Sequence, residues 1–369
     1  MNMKNITVMG AGNIGSAIAD MLQKTGDYQV TLVDRDETRL AKVAKATGVE
    51  WKAVDVADKA ALDAALTDAY AVLNALPFQL TTLIAESAAR TRTHYLDLTE
   101  DVASTKKVME LGENADTAFI PQCGLAPGFI SIAANHLAKD FDRLDEVRMR
   151  VGALPQHPSN ALNYNLTWST DGVINEYIEP CEAIVEGKLT EVPALQEREE
   201  FSIDGVRYEA FNTSGGLGTL CHTLAGKVRR LNYRSIRYPG HCTLMKALLH
   251  DLRLAQRREV LHDIFENALP STLQDVVIIF VTVTGWRGEA FMQETFVRKV
   301  YAGPVDGTFR TGIQATTAGA ICAVLDMLAA GELPHAGFVK QEDIDLDAFL
   351  ANRFGRIYAE PVAHNTIAS

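Results

Sequence analysis

Ile6-Thr7-Val8-Met9-Gly10-Ala11-Gly12-Asn13-Ile14-Gly15 is the stretch that decides the fold. A β-branched run enters a glycine-rich turn, and the turn opens a segment whose apolar residues recur at helical spacing. Gly10 permits the tight turn, Gly12 lets the backbone approach a pyrophosphate, and Gly15 lets the helix pack closely on the strand. The free N–H groups at the start of the helix, around Asn13 and Ile14, then face the anion. The sequence therefore predicts a dinucleotide-binding strand–turn–helix.

The acidic residue that completes this motif is Asp34, at the end of a second predicted strand and nineteen residues after Gly15. A carboxylate there can accept hydrogen bonds from both ribose hydroxyls and repels a 2′-phosphate, so it favours NAD. Arg35 follows immediately and can reach such a phosphate, so NADP stays possible. Asp55 ends the third predicted strand, where it can touch adenine or act as a cap.

Composition narrows the class of protein. The chain has 369 residues, of which 47% are hydrophobic and 22% charged, as in ordinary globular proteins. Its net charge of −12 predicts neither a nucleic-acid nor a membrane partner. The five cysteines form no C-x-x-C pair, so we expect neither disulfides nor a cysteine-based metal site. No charged leader with an apolar core precedes the first strand, which favours a cytoplasmic protein.

Strand and helix signals alternate through the first third of the chain. Six short apolar runs, each followed by a helical pattern, predict parallel pairing with right-handed crossovers. The predicted fold class is α/β, with a Rossmann-type doubly wound parallel sheet and an inserted α+β domain. The strands are expected at Ile6–Met9, Gln29–Val33, Glu50–Val54, Ala71–Ala75, Tyr95–Leu98 and Ala118–Pro121.

The pattern changes near Asp145. Alternating runs, including one over Tyr164–Ser169 and an apolar one over Val276–Val283, predict a mixed or antiparallel sheet. From about Thr311 an alanine-rich helical pattern returns, and we place it back on the first domain. The nucleotide domain is thus predicted to be discontinuous, 1–126 plus about 311–369. The α+β domain is predicted over about 127–310.

Ligands of doubly wound sheets bind at the carboxyl ends of the strands. By this rule, the loops that follow the fourth, fifth and sixth predicted strands are candidates for contacts with the cofactor and the substrate. Asn74-Ala75-Leu76-Pro77 and Gly124 are expected to contact the cofactor. Asp97 and Glu100 can bind a substrate ammonium or act as the base, although Thr99 and Glu100 can equally cap the next helix. Cys123 lies in the last of these loops and can be a nucleophile or a small packing residue.

The second domain carries an unusual polar set. Tyr164 and Trp168 can form a wall of the pocket, and the turn Thr213-Ser214-Gly215 can present donors to a carboxylate. Arg237 can hold that carboxylate with two hydrogen bonds. His241 has a suitable ordinary pKa for proton transfer. Each residue alone can also have a purely structural role.

These residues carry a resemblance to a known family. The chain resembles the saccharopine dehydrogenase-like family and looks most similar to its L-lysine 6-dehydrogenases. The resemblance rests on the glycine motif, Tyr95–Thr99, Gly124–Gly128, Thr213–Gly216 and Leu231–His241. It implies a split Rossmann domain, an inserted substrate and dimerisation domain, and NAD(P)-linked oxidation at an amine-bearing carbon. Thr99-Glu100-Asp101 departs from the glycine-rich, uncharged segment of the lysine-oxidising relatives.

The predicted function is NAD(P)-dependent oxidation of an amino acid, foremost oxidative deamination of L-lysine at its 6-amino group. The alternatives are saccharopine cleavage or synthesis, a nicotinamide-binding regulator without turnover, and a thiol enzyme based on Cys123. The expected catalytic residues are Asp97, Glu100 and His241, with Tyr164, Trp168, Thr213–Gly215 and Arg237 at the substrate. No metal is expected. The expected partner, apart from a small amino acid, is a second copy of the chain in a homodimer or larger homo-oligomer.

Overall fold

The computed structural model describes residues 3–359. Its first third alternates strands and helices as the sequence predicts. The elements are β1 (Lys4–Met9), α1 (Asn13–Gln23), β2 (Tyr28–Asp34), α2 (Glu37–Thr47), β3 (Glu50–Ala53), α3 (Lys59–Leu66), β4 (Ala71–Asn74), α4 (Thr81–Thr91), β5 (His94–Asp97), α5 (Val102–Gly112) and β6 (Ala118–Ile120). Each predicted strand agrees with the observed one to within two residues at either end.

The middle of the chain forms the second domain. Its elements are α6 (Phe129–Ala138), β7 (Arg143–Pro155), α7 (Thr170–Ile178), β8 (Cys181–Val185), β9 (Lys188–Val192), β10 (Glu199–Ile203), β11 (Val206–Asn212), α8 (Leu220–Leu224), β12 (Arg230–Arg237), α9 (His241–Lys246), α10 (Arg258–Ala268), β13 (Asp275–Arg287) and β14 (Ala290–Tyr301). The last described elements are β15 (Gly303–Val305), β16 (Thr308–Arg310), α11 (Gly312–Ala330), β17 (Gly337–Phe338) and α12 (Leu346–Ala351).

The first sheet has the strand order β17-β6-β5-β4-β1-β2-β3, and its strands pair in parallel. Strand order reverses between β1 and β4. A dinucleotide binds at the carboxyl edge of such a switch point, so the loops after β1, β4, β5 and β6 share one face of the domain. The fold is the predicted Rossmann-type doubly wound sheet.

The second sheet is mixed. Its main path runs β10-β11-β12-β7-β13-β14, with β8 beside β12 and β9 beside β8. Only the β12–β7 pair is parallel among the described strands of this sheet. β13 lies between β7 and β14 and is buried along most of its length, as its apolar run predicts.

One predicted strand of this domain is absent. Tyr164–Ser169 forms a loop, with a single bridge from Leu166 to Ser271. The loop ends at the N-cap of α7, where the Ser169 hydroxyl accepts a hydrogen bond from Gly172 N–H. The capping signal therefore overrides the short alternating pattern at this position.

The C-terminal part of the described chain returns to the first domain. β17 pairs with β6 at the edge of the first sheet, and α11 packs on α1 and on β13. The Tyr28 hydroxyl donates to Asp326 over 2.6 Å, which ties α11 to β2. Residues 360–369 of the predicted discontinuous domain lie outside the described range.

α11 is the one described helix long and apolar enough to cross a membrane by length and composition. Most of its residues are buried inside the protein, including Ile321, Val324 and Leu328. A buried core helix meets the same criteria of length and apolar composition. Its small residues, such as Gly319, let neighbouring backbone approach closely.

Candidate active site

The glycine turn has the geometry of a pyrophosphate cradle. Gly10 has φ +102°, and a Cβ there would lie 2.9 Å from the Ala75 carbonyl oxygen. A Cβ on Gly15 would collide with the Gly10 carbonyl, so only glycine lets α1 cross β1 at this distance. A Cβ on Gly12 would have no atom within 4 Å, and no side chain caps α1 there. The open space beside a helix N-terminus, with Asn13 and Ile14 in its first turn, fits a dinucleotide.

Asp34 lies at the ribose side of this cradle. One carboxylate oxygen accepts the Ala11 N–H over 2.7 Å, and the other accepts the Asp36 N–H over 3.1 Å. These bonds fix the carboxylate next to the glycine turn, where lone pairs remain for hydroxyl donors. Arg35 and Asp55 are exposed nearby. Asp55 accepts the Ala57 N–H, whereas Asp58 caps α3.

The loop after β4 closes over the turn. The Ala75 N–H donates to the Met9 carbonyl over 2.8 Å, and the Asn74 amide oxygen accepts the Leu76 N–H over 3.1 Å. Pro77 ends the strand run, and a short helical turn follows at Phe78–Leu80. After β6, the Gly124 carbonyl accepts the Phe129 N–H over 2.9 Å and so positions α6. The contacts of these loops with a cofactor stay predictions.

A cleft of about 630 Å³ opens between the two domains. The first domain contributes residues 78–79 and 100–103 with Lys106, and the second contributes residues from α7, β8, β9, α10 and the 214–215 turn. Its acidic lining residues outnumber the basic ones, Lys106 and Arg258. The six acidic residues are Glu100, Asp101, Glu176, Glu179, Glu182 and Glu191.

The two basic residues differ in what they contact. Arg258 pairs with Glu179 over 2.8 Å and also donates to the Asn175 amide oxygen. Lys106 is exposed and pairs with no acidic side chain within residues 3–359. The cleft is therefore a strongly negative surface with a single unpaired cation on the nucleotide-domain side.

Two facing carboxyl groups in this cleft have raised pKa values. Burial raises the pKa of Glu100 to about 7, and the nearby Glu176 adds to the shift. Burial also raises the pKa of Glu176 to about 7, against the opposing effect of Arg237. A carboxyl group poised near neutral pH is suited to accept a proton from a substrate ammonium. Glu100 does not cap α5, because Asp101 has that role and accepts the Ser104 N–H.

Arg237 lies behind Glu176 in a buried hydrogen-bonded chain. Its Nη2 is 3.5 Å from the Glu176 carboxylate, and its Nε donates to the Tyr177 hydroxyl over 2.8 Å. The guanidinium also lies 5.0 Å from the centre of the Tyr164 ring. These contacts hold Glu176 from behind the cleft. The assignment of Arg237 as a carboxylate clamp stays a prediction, and the described cleft lining does not include it.

The structure does not bring His241 into the cleft. Its Nδ1 donates to the Leu162 carbonyl over 2.8 Å, so the neutral ring accepts the Tyr177 hydroxyl at Nε2, over 2.9 Å. Burial, together with Arg237, lowers the pKa of His241 to about 3. The ring is 1% exposed and has no free nitrogen for a substrate. His241 orients Tyr177 and therefore the Arg237 chain.

Asp97 is likewise an internal residue. Its carboxylate accepts the Tyr95 hydroxyl and the N–H groups of Thr99 and Gln122, over 2.8 to 3.1 Å. Burial raises the pKa of Asp97 to about 6, while the two backbone donors lower it. The side chain is fully buried and connects the loops after β5 and β6. Of the three expected catalytic residues, only Glu100 lines the cleft.

The expected substrate residues fall into two groups. Ser214 and Gly215 line the cleft, whereas Thr213 is buried and shares a hydrogen bond with the Ser235 hydroxyl over 2.8 Å. Tyr164 is buried under Arg237. Trp168 packs over Gly172, which also approaches the Glu100 carboxylate. Trp168 thus lies beside Glu100 at the margin of the cleft.

Glu176 is the site residue that the sequence analysis missed. It follows Ser169-Thr170-Asp171, an N-cap signal, on a segment with apolar residues Val173, Ile174 and Tyr177. This helix is not among the elements predicted from the sequence, because the alternating pattern over residues 164–169 predicts a strand directly before it. The capping pattern was the available signal for α7 and its cleft acid Glu176.

Cys123 is a packing residue in this structure. It is fully buried, its Sγ lies 2.9 Å from the Ile120 carbonyl oxygen, and the Gln341 amide donates to the sulfur over 3.2 Å. Burial raises the pKa of the thiol well above its usual value. A protonated, enclosed thiol is not a nucleophile, so the geometry argues against a thiol enzyme.

Comparison with known proteins agrees with this architecture. Residues 6–120 match the saccharopine dehydrogenase NADP binding domain, and residues 124–356 match the saccharopine dehydrogenase C-terminal domain. The chain belongs to the saccharopine dehydrogenase family. This family fold uses a nicotinamide cofactor, in agreement with the glycine turn and Asp34.

Curated relatives of the family are distant. The saccharopine dehydrogenase [NADP(+), L-glutamate-forming] of Saccharomyces cerevisiae is 26% identical over 183 residues, which cover 46% of this chain and 40% of the relative. The mitochondrial alpha-aminoadipic semialdehyde synthase of Mus musculus is 21% identical over 51% of this chain and 21% of the relative. The chain thus spans less than half the length of each of these relatives.

Solved structures share the fold over nearly the whole chain. The apo saccharopine dehydrogenase (L-Glu forming) of Saccharomyces cerevisiae has a TM-score of 0.74 at 17% identity and 96% coverage of both chains. The homospermidine synthase of Legionella pneumophila, solved with NAD, has a TM-score of 0.63 at 13% identity, over 97% of this chain and 90% of that chain. At these identities the likeness establishes the fold.

Proposed function

We propose that this member of the saccharopine dehydrogenase family is an NAD(P)-dependent oxidoreductase that oxidatively deaminates L-lysine at its 6-amino group. The observation that carries the proposal is the acidic interdomain cleft with two carboxyl groups of pKa about 7, Glu100 and Glu176. Such a cleft attracts a cationic amine and can take a proton from it. Glu100 follows β5 at the carboxyl edge of the nucleotide-binding sheet, and Glu176 on α7 lies close enough to it to raise its pKa.

The chain's own residues divide the work of the proposed reaction. Glu100 accepts a proton from the substrate ammonium, which gives the neutral amine that can release hydride from its carbon. A nicotinamide cofactor held by the glycine turn and Asp34 would supply the acceptor for that hydride. Trp168 and the Ser214-Gly215 turn limit the volume around the amine, and water then hydrolyses the substrate imine to the aldehyde and ammonia.

The α-carboxylate of the substrate needs a cation. Lys106 is the unpaired one in the cleft, and it is exposed on α5 one helical turn beyond Val102. We therefore assign the carboxylate contact first to Lys106. Arg237 is the second candidate, since it reaches a substrate only if Glu176 moves aside.

The charge of the cleft favours lysine over saccharopine. Saccharopine carries three carboxylates, whereas the cleft offers six acidic side chains and only two basic ones, one of them paired. The names of the curated relatives still support a saccharopine-type reaction as the second candidate. We also propose that the protein is cytoplasmic and forms a homodimer or a larger homo-oligomer.

A spectrophotometric panel tests the proposal. Purified protein is mixed with NAD or NADP and with lysine, ornithine or saccharopine, and reduced cofactor is followed by absorbance. Lysine is expected to give the highest kcat/KM, with ammonia released in equal amount to reduced cofactor. Turnover of saccharopine alone, with glutamate as product, would instead establish the second candidate. Cofactor binding without turnover of any amine would make the protein a regulator.

A further inference from the structure

A second cluster of potential ligands adjoins the cleft and shares one residue, Glu182, with its lining. Glu182 on β8 faces Cys221 and His222 on α8, and one potential ligand atom of each lies within 4.8 Å of the other two. The Cys221 thiol donates to a Glu182 oxygen over 3.3 Å, and the other Glu182 oxygen lies 4.0 Å from Nε2 of His222. The cluster contains neither Glu100 nor Glu176.

These separations suit one metal ion. Tetrahedral Zn²⁺ with bonds of about 2.0 to 2.3 Å places its ligand atoms about 3.3 to 3.8 Å apart. The ligand atoms of the cluster lie within 4.8 Å of one another, about 1 to 1.5 Å beyond that geometry at most, and sulfur, nitrogen and oxygen are all accepted ligands. A thiolate and a carboxylate would together balance the charge of a divalent ion.

The surroundings leave room for a fourth ligand. A small cavity of about 30 Å³ is lined by Glu182 and His222, together with Thr213, Thr219 and Tyr233. A cavity of this size is large enough to hold a water molecule. Cys221 is buried, whereas the His222 side chain is 45% exposed, so the cluster has an enclosed inner side and an entry from solvent.

We propose that Glu182, Cys221 and His222 form a binding site for one divalent transition-metal ion of the zinc class, with a water molecule as fourth ligand. The sequence gives no ligand spacing for such a site, because Glu182 lies thirty-nine residues before Cys221. Folding brings them together where α8 packs on β8. The ion would connect the strand that carries the cleft acid Glu182 to the helix that follows the Thr213–Gly215 turn.

Titration of the untagged, chelator-treated full chain with Zn²⁺ and Co²⁺ tests the site. One ion per chain is expected, and the Co²⁺ form should show a thiolate-to-metal charge-transfer band. Cys221→Ser should abolish the band, and His222→Ala should weaken Zn²⁺ binding at least about tenfold. Because the His222 side chain is half exposed, this second variant leaves folding intact and keeps the test decisive.

Matched controls use residues of the same types outside the cluster. Cys181→Ser changes a buried thiol of the same strand as Glu182, and His250→Ala changes an exposed imidazole. Both should retain the band and the wild-type affinity. The assignment would be overturned if the wild type did not bind one ion per chain, or if Cys221→Ser and His222→Ala both bound Zn²⁺ with wild-type affinity. Each readout is independent of amine oxidation, so failure of one proposal leaves the other standing.

Discussion

The Glu176 carboxylate lies 3.5 Å from the guanidinium of Arg237, and both side chains are almost fully buried at the domain junction. Arg237 is held from behind by the Tyr177 hydroxyl, which donates in turn to His241. This chain fixes one cleft carboxylate from the second domain. Glu100, from the first domain, stands opposite without such a cation, so the two acids have different partners although both have a pKa of about 7.

Glu100→Gln should remove the proton acceptor. We expect kcat to fall by about 10² or more, because general-base catalysis typically contributes that factor. The wild-type kcat/KM should rise with pH through about pH 7, as Glu100 loses its proton. The matched control is Glu179→Gln, which changes a cleft-rim acid already paired with Arg258. Full activity of Glu100→Gln would exclude Glu100 as the base.

The same substitution should stabilise the folded protein at high pH. The pKa of Glu100 is about 7 in the folded state and 4.5 ordinarily, so the folded state holds the extra proton between these values. The contribution of Glu100 to the free energy of unfolding of the wild type therefore decreases as pH rises from about 4.5 to about 7. Glu100→Gln avoids this loss, which is at most about 3 kcal/mol.

Urea unfolding at pH 5 and pH 8 measures this effect. The free energy of unfolding of Glu100→Gln should exceed that of the wild type by a larger margin at pH 8 than at pH 5. The exposed Glu191→Gln serves as control and should show no pH-dependent margin. If the difference between the two free energies of unfolding became smaller as pH rises, the raised pKa of the buried Glu100 carboxyl would be contradicted.

Arg237→Lys should separate the two roles considered for Arg237. As a carboxylate clamp, the guanidinium loses its paired hydrogen bonds and KM for the amino acid rises while cofactor affinity is unchanged. As a support for Glu176, the guanidinium lowers the pKa of that carboxyl by its charge, so Arg237→Lys should leave the pH profile near that of the wild type, whereas the uncharged Arg237→Met should shift it upward. Steady-state kinetics across pH, with separate cofactor titrations, distinguish them. An unchanged KM would remove Arg237 from the substrate contacts.

Lys106→Ala should weaken substrate binding if this unpaired cation holds the α-carboxylate. KM for lysine is expected to rise about tenfold or more, with little effect on kcat for bound substrate. Because the side chain is exposed, the melting temperature should stay close to that of the wild type. Lys107→Ala, on the same helix but paired with Glu110, is the control. Equal KM values in both variants would contradict the assignment.

Alanine at two glycines of the turn should have two different effects, a loss of cofactor affinity at Gly12 and a loss of stability at Gly15. Gly12→Ala places a Cβ in open space at φ −73°, so stability should change by less than about 0.5 kcal/mol while NADH affinity falls at least about tenfold. Gly15→Ala collides with the Gly10 carbonyl and should cost about 1 to 3 kcal/mol even without cofactor. Thermal melts and NADH fluorescence titrations measure both. Normal NADH binding by Gly12→Ala would contradict the cradle.

The N-terminal sheet could be predicted from the sequence because its signals are local. The glycine turn at Gly10–Gly15, the acid Asp34 and the alternating strand and helix periods each lie within about thirty residues. The alternating runs of the middle segment predicted the second domain, and the family likeness added its expected role in substrate binding and dimerisation. The loop over Tyr164–Ser169 and α7 were misread, because a short alternating pattern and a capping signal overlap there.

The candidate site depended on long-range packing. Asp97, Glu100 and His241 look equally suitable as acids or bases in the sequence, and only burial distinguishes the cleft-facing Glu100 from the two internal groups. Glu176 became a partner of Glu100 because the second domain folds over the carboxyl edge of the first sheet. The sequence by itself determined the nucleotide cradle, since its geometry is built from adjacent residues. The tertiary structure decided which carboxyl groups face the cleft and how far their pKa values are raised, because both properties depend on residues distant in the chain.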